Sequence, residues 1–81
     1  MEYLFRATIV FIGYMGRLEV FRKENGSYLC ITVLWNQNND KGPGTFTLNK
    51  VGKKWITAPP VLPNIVEALV EEIEGFNKQK L

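Results

Sequence analysis

Residues 55–77 read WITAPPVLPNIVEALVEEIEGFN. The short alternating segment WIT runs into a proline-rich connection, APPVLP, and one amphipathic run then extends from Asn64 to Asn77. Leu62 avoids the α region because it precedes Pro63, and Pro63 suits the first position of a helix. This stretch therefore predicts a last strand followed by a single C-terminal helix over residues 63–77.

The predicted helix has one apolar side. Its apolar residues recur at spacings of three and four, which places them on a single stripe. They are Ile65, Val66, Leu69, Val70, Ile73 and Phe76. Polar residues fall on the opposite side, which we expect to be solvated, and these are Asn64, Glu67, Glu71, Glu74 and Lys78.

Upstream of the helix, alternating segments separated by turn signals predict strands. They cover residues 3–12, 17–23, 28–35, 45–50 and 54–57. Asn25-Gly26 is the strongest hairpin signal, and it predicts a type I′ turn with positive φ at both central residues. Residues 13–16 and 51–53 supply further turns. The order β-β-β-β-β-α predicts an α+β fold: a small antiparallel meander of four or five strands with the helix packed on one face.

The first and third strands carry apolar residues on both sides. In the first strand, alternation predicts one face with Tyr3, Phe5, Ala7, Ile9 and Phe11 and the opposite face with Leu4, Arg6, Thr8, Val10 and Ile12. Alternation in the third sets Leu29, Ile31, Val33 and Trp35 against Tyr28, Cys30 and Leu34. One helix covers only one sheet face, so we expect the second to be covered by another copy of the chain, by strong curling of the sheet or by a foreign partner.

Composition limits what the chain can be. At 81 residues, with 46% hydrophobic residues, it is one domain over residues 1–81, and association would add to the stability of so small a core. A single cysteine, Cys30, forms no internal disulfide and indicates a cytoplasmic location. The apolar segment of residues 7–12 is too short to span a bilayer and is expected to be a buried strand, not a secretion signal.

The residues for catalysis and metal binding are scarce. The sequence has no histidine, which is the usual general base, and no serine or cysteine is paired with a base by any motif. A zinc site needs four Cys or His ligands. Glycine-rich phosphate loops are also missing. We therefore expect no enzyme, no metal and no cofactor.

Basic and aromatic residues are interleaved on the predicted strands and turns. Aromatic rings beside cations are the means by which sheet modules bind single strands. The order of strands followed by one helix is similar to that of single-strand-binding repeats of the Pur type, although the similarity extends to element order alone. The candidate binding residues are Arg6, Arg17, Arg22, Lys53, Lys54 and Trp55.

The net charge of +2 is low for a dedicated nucleic-acid domain, so this partner is not favoured. The polar loop of residues 36–44 is either a functional loop or a plain connection, and its only acid, Asp40, makes it a poor calcium loop. The sequence favours a small non-enzymatic interaction module that forms a homodimer or binds a protein partner, without a membrane. Single-stranded nucleic-acid binding through the open sheet face is the alternative.

Overall fold

The structure, a computed structural model, describes residues 1–11, 14–36 and 42–79. Within these residues five strands form one sheet, and one helix follows them. Their bounds are β1 Glu2–Phe11, β2 Tyr14–Arg22, β3 Tyr28–Asn36, β4 Thr45–Val51, β5 Lys54–Ala58 and α1 Pro63–Gln79. Each strand pairs antiparallel with its neighbour in sequence, so the predicted α+β meander with a C-terminal helix is confirmed.

The core lies between α1 and one face of the sheet, which we call the helix face. Helix α1 begins at Pro63, as predicted, and buries Ile65, Leu69 and Ile73. Phe76, in its last turns, stacks on Phe5 of β1 with the ring centroids 5.0 Å apart. The strand residues of the core are Leu4, Ala7, Ile9, Leu18, Val20, Tyr28, Cys30, Phe46 and Leu48.

A β-bulge in β1 changes the predicted facing of its first residues. Tyr3 pairs with Phe21 and Phe5 pairs with Val20, so Leu4 is an extra residue between two ladder positions. Such an insertion reverses the alternation on one side of it. Leu4 is therefore in the core and Tyr3 is exposed, whereas strict alternation placed Tyr3 with Phe5.

A second bulge does the same in β3. Arg17 pairs with Leu34 and Leu18 pairs with Thr32, which leaves Val33 as the extra residue. The prediction that Trp35 shares a face with Leu29 is wrong for this reason, because Trp35 pairs with Gly16 and packs against the core. Leu34 correspondingly lies on the other face and is exposed.

Strand β2 begins earlier than predicted, at Tyr14. Gly16 is a strand residue, not part of a turn, and its role is to make room. A Cβ atom at this position would lie 2.4 Å from Cε3 of Trp35, well inside van der Waals contact. The indole of Trp35 thus lies directly against the β2 backbone.

The predicted hairpin at Asn25-Gly26 is present, but its turn is not type I′. The N–H of Gly26 donates to the carbonyl of Lys23 at 3.0 Å, and the N–H of Lys23 donates to the carbonyl of Ser27 at 2.8 Å. Gly26 has a φ of 89°. This is the three-residue loop made of a type I turn followed by a left-handed glycine. The side chain of Asn25 stabilises it by accepting from the N–H and the hydroxyl of Ser27.

Candidate interaction surfaces

The sheet face opposite α1, which we call the open face, carries a band of apolar side chains. The pairing Tyr3–Phe21 and Phe21–Leu29 puts three of them in one row across β1, β2 and β3. The rings of Tyr3 and Phe21 meet edge to face, with centroids 5.4 Å apart. With Ile31 and Ile56 these residues form what we call the apolar strip. In the part of the chain that the structure describes, no element lies over it.

Residues of the open face are exposed to the degree expected of an uncovered surface. Tyr3 is 49% and Ile56 is 52% exposed, while Phe21, Leu29 and Ile31 are half-buried by their neighbours within the sheet. Val10, towards the end of β1 on the same face, is 69% exposed. Ile56 is separated from the other four residues of the strip by Thr47 and Asn49 of β4. Soluble monomers seldom leave apolar side chains grouped in this way on their surface without a use for them.

Charged residues border the apolar strip. Arg6 and Glu19 face each other across β1 and β2, with Nη2 and Oε2 3.5 Å apart. Both side chains are partly exposed, so this pair contributes little to stability. Arg17 is the next residue of β2 on the same face; it pairs with Thr8 and is exposed.

The six basic and aromatic residues singled out from the sequence do not form one cluster. Arg6, Arg17 and Lys54 belong to the open face by their register. Lys53 is exposed in the turn between β4 and β5. The two remaining residues, Arg22 and Trp55, lie on the helix face instead.

Arg22 is held by contacts within the protein. Its Nη2 donates to Oδ1 of Asn77 at 2.8 Å, and its guanidinium lies 5.8 Å from the centre of the Tyr28 ring. Asn77 in turn donates to the hydroxyl of Tyr28 at 3.2 Å. Glu2 is 4.0 Å away from the guanidinium. These contacts tie the end of α1 to β2 and β3, so Arg22 serves the fold at this position.

Trp55 is half-buried beside α1, on the helix face of the edge strand β5. Its ring centroid lies 6.1 Å from that of Tyr28, and Nζ of Lys50 lies 5.7 Å from the ring centre. It separates two shallow hollows. One, of about 470 Å³, reaches to the end of α1 at Asn77 and Lys78. The other, of about 260 Å³, runs along the helix beside Val66 and Val70.

Trp55 and Glu74 line both hollows, and the first is also lined by Lys50 and Lys78. We call the second hollow, beside Val66 and Val70, the β5–α1 trough. Glu67 and Glu71 also line it. These carboxylates are exposed, as predicted, but they border a surface depression that the sequence reading did not anticipate. The observation that points to this depression is the pairing of Trp55 with Lys50, because it places the indole at the rim of the helix face.

Cys30 is fully buried in the centre of the core. Burial raises the pKa of its thiol to about 12, because a thiolate would lose its hydration there. A thiol in this state is neither a nucleophile nor a metal ligand. Its role in the folded chain is that of a small apolar side chain.

Among residues 1–11, 14–36 and 42–79, no three His, Cys, Asp or Glu side chains come together as metal ligands. Residues 37–41 of the polar loop lie outside the described residues, as does Gly13 of the predicted first turn. At the end of that loop, the hydroxyl of Thr32 donates to the carbonyl of Gly44 at 2.8 Å. None of the described helices is long and apolar enough to cross a bilayer.

The chain matches no protein-family model, no curated protein and no solved structure. The two surfaces described above therefore carry the functional argument.

Proposed function

We propose that this chain is a small non-enzymatic interaction module that self-associates through the open face of its sheet. The observation that carries the proposal is the apolar strip of Tyr3, Phe21, Leu29, Ile31 and Ile56, which no described element covers. The occupant that fits it is a second copy of the same face, because two antiparallel sheets pack face to face through such side chains.

The size of the open face suits a dimer of moderate affinity. Five strands at a spacing of about 4.8 Å give a face roughly 24 Å wide. Over the roughly 20–25 Å that neighbouring strands share, each protomer would contribute about 500–600 Å², or about 1,000–1,200 Å² in total. This is the lower end of the range for specific interfaces, so we expect dissociation in the micromolar range.

The border charges are compatible with a twofold arrangement. Glu19 is half-buried between Arg6 and the apolar Ile31, and Arg17 lies near it on the same face. In a twofold dimer the same patch meets itself, so carboxylates and guanidinium groups of the rim can alternate across the interface. A sheet that closed on itself by curling would leave no such face, and the exposure of Tyr3 and Ile56 argues against that alternative.

Sedimentation equilibrium over a concentration series that extends well above the micromolar range tests the proposal. We expect twice the chain mass of 9.3 kDa at the upper end of the series. Leu29→Lys and Ile56→Lys each place a charge in the apolar strip and should give monomers whose circular dichroism is unchanged. Leu62→Lys is the matched control, since Leu62 is 63% exposed outside the sheet, and it should remain dimeric. A wild-type chain that sediments as a monomer would refute self-association.

Single-stranded nucleic-acid binding through the same face is the second candidate. It is supported by Arg6 and Arg17, which share β1 and β2 of that face with the rings of Tyr3 and Phe21, and by Lys54 on β5 of the same face. It ranks lower because Arg6 is paired with Glu19 and because the net charge is only +2.

A further inference from the structure

The β5–α1 trough lies on the helix face, away from the apolar strip. Its floor is the half-buried indole of Trp55, and one wall is the side of α1 that presents Val66 and Val70. One helix, about 10 Å across, cannot cover a five-stranded face about 24 Å wide. The trough is the part of the helix face, along β5, that α1 leaves open.

Strand β5, whose Trp55 lines the trough, is an edge strand of the sheet. Among the described residues it pairs with β4 alone, so every second residue from Lys54 to Ala58 directs its N–H and C=O away from the sheet. Such an edge is a template for one more strand. Five residues of β5 offer about 17 Å of ladder, enough for a peptide segment of similar length.

The charge along the trough is one-sided. Glu67, Glu71 and Glu74 recur at spacings of four and three on α1, and all three line the hollow beside Val66 and Val70. No lysine or arginine lines that hollow among the described residues, whereas Lys50 and Lys78 line the neighbouring hollow on the other side of Trp55. In a chain with a net charge of +2, this is a local concentration of negative charge beside an apolar floor. The complementary ligand is basic as well as partly apolar.

We propose that the β5–α1 trough binds an extended basic peptide, which adds to β5 as a sixth strand. Alternate side chains of the peptide would lie over Trp55, Val66 and Val70, and its basic groups would pair with the carboxylates of α1. Addition of a strand to a free edge takes its affinity from main-chain hydrogen bonds and its specificity from alternate side chains. The site goes beyond self-association, because it uses the opposite face of the sheet.

An NMR titration of the full chain with an eight-residue peptide of alternating lysine and valine tests the site. We expect amide shifts along β5 and along the side of α1 that carries Val66 and Val70. Replacing Glu67, Glu71 and Glu74 together by glutamine should weaken binding about tenfold at moderate salt, as expected for three exposed ion pairs. Glu72→Gln is the matched control, because Glu72 is an exposed carboxylate of the same helix that does not line the trough, and it should leave binding unchanged.

The same peptide with alternate backbone nitrogens methylated keeps its charge and loses its ladder hydrogen bonds. We expect it not to bind. Equal binding of the methylated peptide would overturn strand addition, and equal binding by the triple glutamine variant would overturn the charge pairing. No binding of the unmodified peptide at millimolar concentration would overturn the site.

The titration is independent of the self-association experiment. The monomeric Leu29→Lys chain should bind the peptide as the wild type does, since Leu29 lies on the open face and not in the trough. A failure of dimerisation and a failure of peptide binding are therefore separate results.

Discussion

Cys30 shows how a single buried group sets the alkaline limit of stability. Burial raises the pKa of its thiol to about 12, against 9.0 for an exposed thiol. Between these values the unfolded chain releases the proton and the folded chain retains it. The free energy of unfolding is therefore unaffected by this group below about pH 9 and falls by about 1.4 kcal/mol for each pH unit above it.

We predict that Cys30→Ala removes this alkaline loss of stability. Urea unfolding of the wild type and the variant at pH 8, 9 and 10 is the measurement. Alanine should lower stability at pH 8, because it leaves a small cavity, and the difference between the two chains should shrink as the pH rises. The two chains differ at no other residue, so all other contributions cancel in this difference. Parallel pH profiles would show that the thiol ionises without unfolding.

The contact between Gly16 and Trp35 could not be predicted from the sequence. The sequence predicts a turn over residues 13–16, because the two glycines that bound this segment tolerate positive φ. Gly16 lies instead within β2, where the absence of a side chain admits the indole of Trp35. Which aromatic ring lies against a glycine depends on strand register, and register was displaced here by the bulge at Val33.

Among the elements, α1 is the one that its own sequence defines best. The spacing of its apolar residues predicted its buried side, and Leu69 and Ile73 are completely buried. The position of its first residue followed from Pro63. Local chemistry was sufficient in both cases, because neither depends on a distant part of the chain.

We predict that Leu69→Ala lowers the free energy of unfolding by roughly 2–5 kcal/mol, which is a large part of the stability of a domain this small. Glu71→Ala, on the exposed side of the same helix, should change it by no more than about 0.5 kcal/mol. Urea denaturation followed by circular dichroism gives both values. Similar losses in the two variants would mean that α1 packs through another side.

The number and order of the strands could be predicted from the sequence. The face on which each strand residue lies could not be predicted at every position. Alternation assigns the sides of β2 and β4 correctly, with Leu18, Val20, Phe46 and Leu48 all buried. It fails at Tyr3 and at Trp35, each of which lies beyond a bulge. A bulge adds one residue without any consistent change in composition, so alternation alone gives no warning of it.

Across the whole molecule the cations are spread out and do not form one continuous path, and this bears on nucleic-acid binding. Lys53 and Lys54 lie at one end of the sheet near the β4–β5 turn, whereas Arg6 and Arg17 lie on β1 and β2. A continuous basic path is what gives single-strand binding its affinity and its dependence on salt. The sequence suggested such a path because it showed which residues are basic but not which of them are neighbours.

We predict weak or absent binding of a labelled single-stranded oligonucleotide at moderate salt, measured by fluorescence anisotropy. Tight binding that is lost when Lys53 and Lys54 are both changed to alanine would reverse the ranking of the two proposed functions. Binding that is lost instead in Arg6→Ala/Arg17→Ala would reverse it too, and would place the strand across the open face.

The stacking of Phe5 on Phe76 joins the first strand to the last turns of the helix. During synthesis on the ribosome, one ring of this pair emerges well before the other. Until α1 has left the exit tunnel, both sides of the growing sheet are without cover, and the side chains that Leu69 and Ile73 will bury face water. We therefore expect the sheet to fold only after α1 has emerged, and to depend until then on whatever shields nascent apolar strands in the cell.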